Sequence, residues 1–193
     1  MIKLTLTGLD EQTNLNWVRE ISNRYPSIEW GILLCSTGNS NFSTNRYPSV
    51  DWLNANLPKI SDLNISLHAC GAEARKLLNR DKDSIALNFI KYVKRIQING
   101  EIKNPDQLND LCIEYPSIVF ITQENKRQNQ AVKDITAKNH QVLFDSSDGR
   151  GIYVNDWQEP LAGKVCGYAG GIDSNNIKEV FKNVYQVVGH NNF

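Results

Sequence analysis

Val142-Leu143-Phe144-Asp145-Ser146-Ser147-Asp148-Gly149-Arg150-Gly151 is the stretch whose reading decides the fold. Its apolar head is short and β-prone, the pattern of a strand covered on both faces. Asp145 closes that strand at its C-terminal end, where α/β folds gather their active sites. Beyond it, Gly149 and Gly151 free the backbone to turn N–H groups toward an anion. A second stretch, Lys164-Val165-Cys166-Gly167-Tyr168-Ala169-Gly170-Gly171-Ile172, repeats the pattern of a short strand closing on glycines. Asp173 or Ser174 then caps a helix with Ile177, Val180, Phe181 and Val184 on one face. Glycines beside a helix N-terminus make an anion site. Each stretch alone also reads as ordinary turn chemistry. Two in consecutive strand–helix units point to a bound phosphate.

Working outward, the rest of the chain alternates in the same way. Strands are expected at Ile2 to Thr7, Ile28 to Leu34, Asn64 to His68, Arg95 to Ile98 and Ser117 to Ile121. Helices are expected between them, with Asp10 capping the first, Pro105 opening the one that runs to Ile113, and Ala131, Val132 and Ile135 forming the apolar stripe of 125–138. The last helix runs to about Val188. Such alternation implies a parallel sheet with right-handed crossovers. The fold expected is an α/β, TIM-like (β/α)8 barrel over residues 1–193 as one phosphate-binding domain, or such a barrel incomplete at the eighth strand. A doubly wound open sheet is the rival. An open barrel leaves a strand edge to be covered, and a partner chain would do it, so a homo-oligomer is among the expectations. The long polar loop from Cys35 to Tyr47 carries Arg46, placed to reach over the barrel mouth.

The order acid, glycine loop, strand, glycine pair resembles phosphoribosylanthranilate isomerase. Asp145 falls where that family has its general acid. Gly149-Arg150-Gly151 resembles its loop-six phosphate glycines, with Arg150 at a place usually held by a small hydroxyl residue. Ala169-Gly170-Gly171 with Asn176 resembles its Ala-Gly-Gly loop and the following helix start. Ser43-Thr44-Asn45-Arg46-Tyr47 resembles its Ser-Pro-Arg-Tyr segment, and Ile96-Gln97-Ile98-Asn99-Gly100 its Val-Gln-Leu-His-Gly. The resemblance implies an Amadori rearrangement of a phosphorylated aminoribose, with Asp145 protonating the ring oxygen and a base removing a carbon-bound proton. It implies ligand contacts from Arg46, Gln97, Ser147, Gly149, Arg150, Gly151, Ala169, Gly170 and Gly171. At the position of the family's catalytic cysteine this chain reads Thr7-Gly8. A hydroxyl is a poor base, and losing a general base costs about 10²–10⁴-fold in rate. His68, ending its strand on the same rim, is the candidate replacement. The alternative is a non-catalytic protein that keeps the phosphate cup.

Composition narrows the classes further. With 21 basic and 21 acidic residues the formal charge is zero, so no global attraction to nucleic acid or acidic membranes is expected. No apolar run is long enough to span a bilayer. Cys35, Cys70, Cys112 and Cys166 are widely spaced without a Cys-x-x-Cys pair, and read as buried thiols of a cytoplasmic protein. His68 and Cys70 share a face as a strand alternates, but no second ligand pair accompanies them, so no metal and no cofactor is expected. Gln97 and Gln123 are read as donors at the barrel top. The partner expected is a small phosphorylated ligand.

Overall fold

The computed structural model describes residues 2–35, 46–124, 129–145, 147, 151–153, 155 and 157–189. Seven strands form one parallel sheet in sequential order: β1 (Leu4–Thr7), β2 (Ile28–Cys35), β3 (Ile65–Cys70), β4 (Arg95–Asn99), β5 (Val119–Glu124), β6 (His140–Asp145) and β7 (Cys166–Ala169). The order never reverses, which excludes a doubly wound sheet. The sheet is that of a TIM-like barrel left incomplete: β1 and β7 are its two edges and do not pair with one another.

Helices follow the strands as α1 (Leu15–Arg24), α2 (Val50–Asn56), α3 (Ala72–Leu78), α4 (Ile85–Phe89), α5 (Pro105–Glu114), α6 (Asn129–Lys133) and α7 (Ile177–Val188). No helix lies among the described residues between β6 and β7, so the sixth unit departs from the expected strand–helix pattern. Among the described residues no helix is long and apolar enough to cross a membrane. The first helix is capped by Asn14, whose Oδ1 accepts from the N–H groups of Asn16 and Trp17. Asp10, expected as the cap, instead accepts from Gln12 N–H and the Thr13 hydroxyl in the preceding turn.

Strand alternation separates two faces. Trp30, Ile32 and Leu34 of β2, Ile65, Leu67 and Ala69 of β3, Ile96 and Ile98 of β4 and Phe120 of β5 point outward into a continuous core with Leu53, Leu57, Leu77, Leu108 and Leu111. The face that lines the barrel is polar by contrast. Arg95 Nη1 donates to both Glu29 carboxylate oxygens at 2.9 and 3.0 Å, and its Nη2 donates to Gln141 Oε1 at 2.9 Å. Thr5 adds a hydroxyl bond to Glu29 at 2.9 Å. Barrel interiors stack in layers drawn from alternate strands, and here β2, β4 and β6 supply Glu29, Arg95 and Gln141. A charged floor thus replaces the usual branched aliphatics.

The far side is thinner. On α7, Val180, Val184 and Val188 form a separate small cluster with Trp157, Tyr168 and Ile172. Phe181, expected on that face, is 51% exposed and stacks on Tyr185 instead. Edge strand β1 leaves Leu4 40% and Leu6 37% exposed.

Candidate functional site

Asp145, the last residue of β6, is buried at the C-terminal rim. Its Oδ1 accepts from Ser147 N–H at 3.0 Å and from the Ser147 hydroxyl at 2.7 Å, and its Oδ2 accepts from Gln123 Nε2 at 3.1 Å. Gly151 N–H in turn donates to Ser147 Oγ at 3.2 Å. Asp145 and Ser147 therefore fold the loop after β6 (loop six) back onto the rim. Gly151 stands at φ +66°, open space for a glycine and strained for other residues. Gly149 and Arg150 lie outside the described residues, as do Ser43, Thr44 and Asn45.

The loop after β7 (loop seven) meets loop six at this point. Ala169 is the register partner of Asp145. Gly171, at φ +59°, lies so close to the main chain of loop six that a Cβ there would come within 2.6 Å of Ile152 C and Tyr153 Cα. Only glycine fits. At Gly170 a Cβ would stand 3.6 Å from Asp145 Oδ1, an ordinary contact, but φ +118° still disfavours a side chain. Among the described residues the N–H groups of Gly171 and Ile172 have no protein acceptor. Successive N–H groups beside a left-handed glycine make a concavity suited to an anion. The helix behind them contributes less than its position promises. Asp173 Oδ1 already accepts from the N–H groups of Asn175 and Asn176, and its carboxylate puts negative charge at that helix start.

A second group lies inside the sheet. His68 is buried, with Nε2 3.1 Å from Ser66 Oγ. Its ring packs over Gly31: a Cβ there would meet His68 Nε2 at 2.8 Å and Thr7 Oγ1 at 3.1 Å. His68 and Thr7 therefore flank one point on the barrel's inner wall, and Gly31 makes room for the imidazole. Burial, reinforced by the Arg95 charge, lowers the His68 pKa to about 4. The ring is neutral at pH 7, able to accept a proton and weak as a base.

The third group stands on the rim of β2 to β4. Gln97 Nε2 donates to Asn99 Oδ1 at 2.8 Å, and Asn99 Nδ2 donates to Cys70 Sγ at 3.4 Å. Cys70 is the register partner of Cys35 on β2. Burial raises the Tyr47 hydroxyl pKa, and Cys70 and Cys35 beside it raise it further. The Arg46 charge acts on both Tyr47 and Cys70. Arg46 is exposed and forms no ion pair among the described residues.

The structure thus brings Asp145, Ser147 and Gly151 together with Ala169, Gly170 and Gly171. It places Thr7 with His68, and joins Gln97 through Asn99 to Cys70, whose sulfur also feels the Arg46 charge. Sequence reasoning missed Gly31, Ser66 and Asn99. A glycine within an otherwise apolar strand was the available signal for Gly31, since it marks close approach of a neighbour. Outside the barrel, His140 is buried with Nε2 2.9 Å from Thr122 Oγ1 and Nδ1 3.1 Å from Lys164 Nζ. Burial and the Lys164 charge push its pKa down to about 3. No group of three His, Cys, Asp or Glu among the described residues is placed to hold a metal ion.

An open TIM-like barrel with its acid and glycine loops at the C-terminal rim belongs to a known structural class. The chain is similar in fold to phosphoribosylanthranilate isomerase from Thermotoga maritima. One structure of that enzyme matches over 95% of this chain and 84% of its own, with TM-score 0.57 and 15% identity. A structure described as monomers of the dimeric enzyme matches over 97% and 83%, with TM-score 0.53 and 16% identity. No family model matches the sequence, and no curated protein matches it. At such identities the likeness establishes the fold.

Proposed function

We propose that the chain binds a small phosphorylated metabolite at the rim of β6 and β7, its phosphate seated on the N–H groups of Gly171 and Ile172. The observation that carries this reading is that pair of donors, without protein acceptors among the described residues, beside a glycine packed against loop six. Asp145 and Ser147 hold loop six in place, and Arg46 reaches the remainder of the ligand from the opposite rim. Gly151 adds a contact from loop six, while Gln97 and Ala169 line the inner wall.

Acid/base chemistry on that ligand is the second reading, and the pairing of His68 with Thr7 around Gly31 favours it. Asp145 would then act as the acid. The Thr7 hydroxyl is no base unless a neighbour first takes its proton, and neutral His68 is the group that stands beside it. A base whose pKa lies near 4 drives proton abstraction poorly at neutral pH. Turnover of phosphoribosylanthranilate is therefore expected to be undetectable or slow. Calorimetry with ribose 5-phosphate and with ribose tests the binding: heat from the phosphorylated sugar alone supports it, and equal silence from both rejects it. An assay with phosphoribosylanthranilate tests the chemistry. A rate in the ordinary enzyme range of about 1–10³ s⁻¹ would overturn the reading of Thr7.

A further inference from the structure

Cys35 and Cys70 are far apart in sequence, yet each is the last residue of its strand and they face each other across the β2–β3 ladder. The two side chains share a face of the sheet. Cys35 has the parity of Glu29 and Gly31, and Cys70 that of Ser66 and His68. His68 packs on Gly31, and Glu29 pairs with Arg95 across the interior, so this face lines the barrel. Burial raises the Tyr47 hydroxyl pKa, and both thiols raise it further. Neighbouring strands run about 4.8 Å apart, within the Cα separation of about 4.4–6.8 Å that disulfides span. Both residues are only partly buried, so a reagent in the mouth reaches them.

We propose that Cys35 and Cys70 form a redox-active dithiol at the barrel mouth, closing to a disulfide when a small oxidised disulfide reacts with it. The Cys35 thiolate attacks the oxidant RS–SR, breaking its S–S bond, releasing one RS⁻ that takes up a proton, and forming a mixed disulfide. The Cys70 thiolate then attacks the Cys35 sulfur and expels the second RS⁻. Two thiols are oxidised and one disulfide is reduced to two thiols, so electrons and protons balance. Burial raises the Cys70 pKa and disfavours its thiolate, while Asn99 Nδ2 donates to its sulfur and Arg46 adds positive charge, both favouring it. Its attack is intramolecular, where proximity offsets a low thiolate fraction. Parallel register sets the two residues side by side at the ends of their strands, and thiol–disulfide exchange of this kind is reversed by a small thiol. The remaining two thiols are poorer targets: Cys112 is buried with its pKa pushed to about 12, and burial also raises that of Cys166.

The test incubates the native full chain with oxidised glutathione, quenches with acid and maps peptides without reduction. Two of the four thiols are expected to disappear into one peptide pair joining Cys35 to Cys70, with a mass lower by two hydrogens, restored by dithiothreitol. The variant Cys70→Ser is expected to stop at a glutathione adduct on Cys35. Retention of all four thiols while the denatured chain reacts, a stable glutathione adduct on the wild type, or linkage between chains would each overturn the proposal. Ligand affinity is expected to fall on oxidation, because the new bond lies beside Arg46. That consequence rests on the phosphorylated-ligand reading, whereas the peptide map stands without it.

Discussion

The two halves of the sheet are built differently. From β2 to β5 the outer face is sealed by a continuous apolar core, and the inner face is cross-linked by Arg95 to Glu29, with a further bond from Arg95 reaching Gln141 of β6. From β6 through α7 the cover is a cluster of three valines with a tryptophan, a tyrosine and an isoleucine. The glycine loops and Asp145 belong to the thin half. Sites that must admit and release a ligand are drawn from the less stable parts of a fold. On the proposed reading, stability and binding are divided between the halves, and each can be perturbed separately.

The largest effect is expected on the thick half. Arg95→Ala leaves the Glu29 carboxylate buried at 2% side-chain exposure without its cation. Removing one partner of a buried pair costs about 3–5 kcal/mol, so the urea midpoint should fall steeply. A change confined to tenths of a kcal/mol would mean that Thr5 and solvent satisfy Glu29 unaided.

Next comes a pH dependence. His68 and His140 have folded pKa values near 4 and 3, below the unfolded value near 6.5. Between those limits the unfolded chain binds protons that the native chain does not, so stability is full above about pH 6.5 and lost as pH falls toward 4. For each histidine the loss is on the order of a few kcal/mol. In His68→Gln the slope of unfolding free energy against pH between 4 and 6 should drop by about one proton. An unchanged slope would show that the imidazole is solvated.

Two smaller effects probe the thin half. Gly171→Ala forces a Cβ into the main chain at Ile152 and Tyr153 and strains a left-handed φ. Overpacking of that kind costs about 1–3 kcal/mol, and loop six should move. Phosphate binding is expected to disappear while the core melts nearly as before. Val184→Ala in the satellite cluster should cost about 1–2 kcal/mol and expose α7 amides to hydrogen exchange without altering those of β3 and β4. If exchange rises equally across the sheet, the halves are one cooperative unit.

What was legible in the sequence follows the same division. Strands β2 to β6 announce themselves as apolar runs, and Asp145 is readable because it ends one of them beside glycines. The alternation implied a parallel sheet and left a doubly wound rival open, the resemblance pointed to the barrel, and the shortage of clear strands pointed to its incompleteness. The Glu29–Arg95–Gln141 floor was not readable, because each residue looks like a polar interruption until the register sets them in one layer. Cys35 and Cys70 were read as scattered thiols for the same reason. Asp10 and Asn14 are both cap-type residues, and Thr13 decides between them by engaging Asp10. Phe181 has helical spacing with the valines, but the stripe that packs is Val180, Val184 and Val188 at every fourth residue, leaving Phe181 on the flank.

The most direct measurement is a titration of the nitrogen-15-labelled chain with ribose 5-phosphate and, separately, inorganic phosphate, followed by amide chemical shifts. The account predicts that both ligands move Gly171 and Ile172 most, with Gly151 next, and that amides of β3 and β4 stay in place. Saturable shifts centred elsewhere, such as on the exposed lysines Lys133 and Lys138, or none at loop seven at millimolar ligand, would contradict it.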